Sequence, residues 1–214
     1  MSSKSLKIAV ALSYAIGVMG LWLKRDNPEV FKLSWMFSVA SLVALMLFHK
    51  QYTKRFVLLT LLVGLLGWLV EAVGVNTGLI FGDYIYGESL GLKLLSTPLV
   101  MAVNWIFMVY ATTYAVTRVK LFTNRYVASL MAAIVMVGYD FFLEPVAIRL
   151  QMWAWATVNP PIQNYVGWFL TAFLFSLLMI RPMQKAENSI SNWLLACQFL
   201  FFVAMYISIV FLGF

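Results

Sequence analysis

The chain has 214 residues, of which 63% are hydrophobic and 11% charged, with a formal net charge of +7. Soluble domains run near half apolar and a quarter charged, so this is a membrane composition. The basic residues sit in short clusters between apolar runs, as cytoplasmic loops do, and no soluble region is left to present a nucleic-acid surface. A lone Cys197 and a lone His49 exclude a disulfide framework, a thiolate metal site and histidine-box iron chemistry, so no metal is expected.

A membrane span needs about 20 apolar residues. The predicted spans are, in chain order, 6–23, 30–48, 56–75, 97–117, 126–147, 164–180 and 190–213. The fold class is therefore all-α: one polytopic transmembrane helix bundle of about seven spans over residues 1–214. The first run follows Lys4 and Lys7 and lacks a small-residue cleavage site, so it reads as a span and not a signal peptide. His49, at the end of the second span, is expected at the interface, and Cys197 lies unpartnered in the last.

Loop charge sets the expected orientation. An N-terminus inside places Lys4, Lys7, Lys50, Lys54, Arg55, Arg118, Lys120, Arg125, Arg181 and Lys185 on the inner side. Lys24, Arg25, Lys32, Lys93 and Arg149 then fall on the outer side, and this asymmetry favours a cytoplasmic N-terminus. The two longest connections, 76–96 and 148–163, then both lie outside. Both are rich in aromatics, Gly and Pro and too apolar for solvated loops, so they are expected to fold back against the bundle.

Three acids stand where lipid-embedded helices should carry no charge. Glu71 lies about 22 Å along the third span at 1.5 Å per residue, in the outer third of the membrane. Asp140 and Glu144 sit at similar depth in the fifth span, and their i, i+4 spacing puts both on one helix face. Pro145 follows and is expected to loosen the backbone there. A charge at mid-membrane costs about 2.5–3.5 kcal/mol, so the default reading of such acids is functional. The alternative is that they are neutral and hydrogen-bond between helices, or that Glu144 pairs with Arg149. Asp83, in the loop IFGDYIYG, is either a turn former or a group acting in catalysis or substrate gating. Glu88 and Glu187 read as solvated.

Trp68, Trp105, Trp153, Trp155 and Trp168, with Tyr84 and Tyr86, cluster toward the outer side. They fit an interfacial aromatic belt. Aromatic faces beside carboxylic acids would also suit a cationic intermediate. The two acid-bearing regions echo each other: Val70-Glu71-Ala72-Val73 matches Leu143-Glu144-Pro145-Val146. An aromatic-rich stretch follows each, and then Pro98 to Trp105 matches Pro161 to Trp168. Both copies run inside to outside, so the expectation is a parallel internal repeat facing two acid-bearing helices across one pocket.

At these residues the chain resembles a known family. The segment EAVGVNTGLIFGDYIYGESLGLKLLSTP, from Glu71 to Pro98, is similar to the signature of CruF-type carotenoid hydratases. So are DFFLEPVAIRLQMWAW, from Asp140 to Trp155, and PPIQNYVGW, from Pro160 to Trp168. The resemblance covers about residues 64–170. It departs from the family's pattern at Glu144, where the pattern has Asp, at Met152, where it has Gly, and at Pro160. It implies hydration of the terminal C1,2 double bond of an acyclic carotenoid end group, giving a tertiary alcohol. The oxygen comes from water, with no redox cofactor. The expected partners are an apolar carotenoid drawn from the lipid phase, water and membrane lipids, in a bacterial or archaeal cytoplasmic membrane.

The chemistry fits the residues. Protonating the alkene requires a carboxylic acid that is neutral at working pH, which burial in an apolar site favours. A second carboxylate can take a proton from water. The expected acid–base set is Glu71 with Asp140 or Glu144, with Asp83 as a further catalytic candidate. The expected substrate contacts are Trp68, Asn76, Tyr84, Tyr86, Trp105, Trp153, Trp155, Asn164, Tyr165 and Trp168. A carotenoid end-group cyclase begins with the same protonation and is the nearest alternative. A carotenoid-binding or proton-coupled transport protein also remains open. A prenyltransferase would need a second Asp-rich motif, and a retinal protein a Lys within 190–213; the sequence has neither.

Overall fold

A computed structural model describes residues 3–23 and 34–213. These residues form seven α-helices: α1 Ser3–Leu23, α2 Ser34–Leu47, α3 Lys54–Thr77, α4 Val100–Thr117, α5 Arg125–Arg149, α6 Ile162–Lys185 and α7 Ser191–Leu212. Six of them, α1 and α3 to α7, are long and apolar enough to cross a membrane. Helices satisfy every backbone hydrogen bond within one segment, which is what lipid demands. The fold is the expected all-α bundle of a membrane protein.

The described part of α2 has 14 residues and a length of about 21 Å. Residues 30–33, the start of its predicted span, and Lys24, Arg25 and Lys32 of the outer-side charge count lie outside the described residues. α6 runs past its predicted end at 180 to Lys185. α5 continues to Arg149 with Pro145 inside it. The proline removes one N–H from the helical ladder, but the turn that follows packs against neighbours and stays helical.

Local chemistry sets the helix ends. Thr53 caps α3 by accepting from the Phe56 N–H at 3.1 Å. At its other end Gly78 takes the left-handed conformation (φ 67°) and donates to the Gly74 carbonyl. Asn124 caps α5 through the N–H groups of Tyr126 and Val127. Ahead of α7, Asn188 Oδ1 accepts from the N–H groups of Ile190 and Ser191, at 3.1 Å each, and holds the turn into the helix.

α4 is the central helix, packed against α2, α3, α5, α6 and α7, while α1 leans on α7 at the periphery. Short antiparallel strand pairs close the two ends. At one end β1 (His49–Lys50) pairs with β6 (Glu187–Asn188). At the other, β2 (Tyr84–Tyr86) pairs with β5 (Trp153–Trp155), and β3 (Lys93–Leu94) with β4 (Thr97–Pro98). So the two long connections do fold back on the bundle, and they do so by pairing with each other. Lys93 braces this end, donating to the Tyr86 carbonyl and to Glu88, each within 2.8 Å.

The β2–β5 pairing continues into Gly87, whose N–H donates to the Met152 carbonyl at 2.9 Å. A Cβ on Gly87 would stand 2.0 Å from the Gln151 carbonyl oxygen, so the two backbones can approach only where a side chain is missing. Gly87→Ala is therefore expected to force β2 and β5 apart and to cost about 1–3 kcal/mol. A thermal unfolding series in detergent against wild type checks this; an unchanged midpoint would show that the contact is not structural.

Candidate active site

Glu71, Asp140 and Glu144 are all buried, at 2%, 0% and 1% exposure. Glu71 faces inward near the end of α3, and Asp140 and Glu144 occupy one face of α5. Buried carboxyl groups need hydrogen-bond partners, and here most come from aromatic side chains. Glu71 Oε2 accepts from the Tyr86 hydroxyl at 2.6 Å and the Tyr84 hydroxyl at 2.8 Å, and Oε1 accepts from Trp105 Nε1 at 3.0 Å. Glu144 Oε2 accepts from Trp155 Nε1 at 2.8 Å and Trp153 Nε1 at 3.0 Å. Asn164 Nδ2 completes the set, donating to Glu144 Oε1 at 3.1 Å and to Asp140 Oδ2 at 2.8 Å. Asp140 Oδ1 is buried with no partner.

The two halves of the site match. Each glutamate takes both aromatic side chains of the strand that follows its own helix, Tyr84 and Tyr86 in one case and Trp153 and Trp155 in the other. The strands pair Tyr84 with Trp155 and Tyr86 with Trp153 about a central Ile85–Ala154 pair, the register that two copies related by a two-fold would give. The side chains that alternate inward are the donors, and Ile85 and Ala154 point away, as a period of two requires. Trp105 and Trp168, which the sequence echo aligns, stack on each other with ring centroids 4.7 Å apart.

Gly67 shows how closely the parts fit. It lies one turn before Glu71, and a Cβ there would stand 2.5 Å from Trp105 Cγ. Without a side chain at this position, the indole can lie against α3 with its N–H directed at Glu71. Burial pushes the Tyr84 and Tyr86 phenols well above their ordinary range, so both keep their protons.

A cavity of about 20 Å³ lies between the two glutamates, with room for one water molecule. Its walls are Glu71, Glu144, Tyr84, Tyr86, Trp153, Trp155, Asn164 and Trp168, together with Phe81 and Met101. Phe81 and Met101 were not among the sequence candidates. The echo held a signal for Met101: it lies three residues after Pro98, as Asn164 does after Pro161. Phe81 sits in the same aromatic run as Tyr84.

Other candidates lie apart from the cavity. Asp140 stands behind Asn164. Asp83 is exposed, with its carboxylate over Gly78 and its carbonyl accepting from the Ala156 N–H at 3.0 Å. Asn76 donates to the Ala72 and Leu95 carbonyls and ties α3 to the β3–β4 turn. Trp68 is buried with its indole N–H unpartnered. Tyr165 is half-buried on α6. Glu144 bonds to the two indoles and Asn164, which is not the Arg149 pairing weighed from sequence.

A family model described as carotenoid biosynthesis protein matches residues 31–214. This chain belongs to that family. Among curated proteins it is similar to a bisanhydrobacterioruberin hydratase of Haloarcula japonica, 30% identical over 123 residues. The match covers 51% of this chain and 39% of the relative, so the chain spans well under half of that protein's length. No solved structure matches. Membership of the family assigns the chain to carotenoid biosynthesis.

Asn164 holds two acids at once, so removing it should be felt at both. Asn164→Leu is expected to cost about 1–3 kcal/mol of stability by stranding Asp140. Adding Asp140→Leu should recover part of that loss, because replacing both partners removes the stranded group. A double-mutant cycle read by thermal unfolding measures the coupling; strictly additive losses would mean that the two side chains do not interact.

Proposed function

We propose that this protein adds water across the terminal C1,2 double bond of an acyclic carotenoid end group, with Glu71 and Glu144 as the acid–base pair. The observation that carries the reading is the shared cavity, where two buried carboxyl groups held by aromatic donors face a space for one water. The similarity to a bisanhydrobacterioruberin hydratase supports it.

Hydrogen-bond direction separates the two roles. The three partners of Glu144 are indole and amide N–H groups, which only donate. They favour an anionic Glu144, suited to accept a proton. Two of the three partners of Glu71 are hydroxyls, which can turn and accept. Glu71 can therefore hold a proton on Oε2 and donate it to a tyrosine oxygen while it waits.

In the reaction Glu71 gives that proton to C2, and the alkene π pair forms the new C–H bond. The tertiary cation this leaves at C1 faces Tyr and Trp rings, each worth about 0.5–2 kcal/mol to a cation. Water attacks C1 and loses a proton to Glu144. Proton return from Glu144 to Glu71 through a further water restores the starting state. Asp140 positions Asn164, and through it Glu144. The end group is larger than the cavity, so its entry from the lipid between helices requires the aromatic walls to part. With the N-terminus cytoplasmic, this site lies toward the outer face of the membrane. A cyclase would let an internal alkene capture the same cation; the water-sized space beside Glu144 favours water.

The test is conversion of lycopene or a similar acyclic carotenoid by purified protein, with product mass read alongside rate. A hydratase gives a product heavier by one water, and a cyclase gives an isomer. Glu71→Gln and Glu144→Gln are each expected to slow conversion by about 100-fold or more. Asp140→Asn should have a smaller effect. Full rates in both glutamine variants would sink the proposal.

A further inference from the structure

The bundle has a second cavity, at the end opposite the glutamates. It measures about 530 Å³ and lies between the α2–α3 connection and the last turn of α6. Arg55, Arg181 and Lys185 line it, and no carboxylate does. Among the described residues none of these three has an ion-pair partner, and Glu187, the acid at this end, is taken by Lys50 at 3.3 Å. All three are exposed at the mouth of the cavity, and together they give it a positively charged rim that attracts anions.

The helix ends add to this. α3 begins at the cavity, and its cap Thr53 and Arg55 of its first turn are in the wall. The start of a long helix favours negative charge. The end of α6 would oppose an anion through its free carbonyls. Arg118 covers these, donating to the carbonyls of Met183, Gln184 and Ala186.

His49 supplies a second, independent sign. It also lines the cavity, is 5% exposed, and its Nε2 has no hydrogen-bond partner. Its Nδ1 lies 2.7 Å from the Tyr110 hydroxyl, which itself accepts from Asn188 Nδ2 at 3.1 Å. Among the described residues the Tyr110 proton has no other acceptor than His49 Nδ1. That assigns the imidazole hydrogen to Nε2. The wall therefore holds a buried N–H donor that makes no direct hydrogen bond. A basic loop face that served only to orient the chain would not need such a buried donor.

We propose that this cavity binds the phosphate group of an anionic ligand, either a phospholipid headgroup or free phosphate, through Arg55, Arg181, Lys185 and the His49 Nε2–H. The site stands where helices end and lipid headgroups begin. It is separate from the carotenoid reading and does not rest on it.

The test uses the full-length protein and compares Arg55→Gln/Arg181→Gln with Lys120→Gln/Arg125→Gln. The second pair removes the same charge at the same end of the bundle, outside the cavity. Native mass spectrometry reports retained phosphatidylglycerol against phosphatidylcholine. Thermal unfolding in phosphatidylcholine nanodiscs reports the response to inorganic phosphate. Wild type and the Lys120/Arg125 variant are expected to retain one phosphatidylglycerol, with affinity roughly thirtyfold weaker in the Arg55/Arg181 variant. If only inorganic phosphate discriminates the two variants, the source is the soluble ion. Lys185→Gln alone serves if the double variant does not fold, with a loss of about fivefold expected. Equal lipid retention and an equal phosphate response in wild type and cavity variants would overturn the proposal. So would an equal loss in the Lys120/Arg125 variant.

Discussion

Keeping carboxyl groups inside an apolar bundle is the constraint on which this structure depends. Each such group must find donors that are themselves at home in apolar surroundings. Lysine and arginine would bring charges of their own to bury. Indole and phenol bring one polar atom on a large apolar body, so they supply the hydrogen bond and fill the core together. This accounts for the placing of Tyr84, Tyr86, Trp153 and Trp155 on two strands that alternate, one side chain in and one out. It also accounts for the strands themselves. In an apolar setting their backbone groups must be paired, and each satisfies part of the other's need.

The spans and the misplaced acids were legible because both are violations or fulfilments of one rule, that lipid tolerates apolar helices and little else. Glu71, Asp140 and Glu144 stood out by depth alone. The paired aromatics stood out through the echo between the two regions. What sequence could not show was the partner of each group. Asn76 and Asn164 look alike as polar residues near acids, yet one amide ties down backbone carbonyls and the other bridges Asp140 and Glu144. The burial of His49 at the end of its span was also hidden, because the β1–β6 pairing and a stack on Phe56 enclose it. Pairings between residues far apart in the chain leave little mark in local sequence.

The family sets the biological frame. The proposed hydration turns on making a cation and choosing what captures it. A bundle with two glutamates, differently hydrogen-bonded and with a water-sized space between them, has the parts for both steps. The asymmetry between the two is one of donor type. Glu71 is held by hydroxyls that can reverse, and Glu144 by N–H groups that cannot.

Two copies of one framework meeting face to face would offer a ligand the same wall twice. Met101 and Asn164 occupy matched places, three residues past Pro98 and Pro161, and they break that sameness. The thioether of one and the amide of the other add to the difference between phenol and indole donors. An elongated molecule that entered the cavity would meet different groups in its two orientations, so the near-symmetry of the framework does not extend to the way it would hold a ligand.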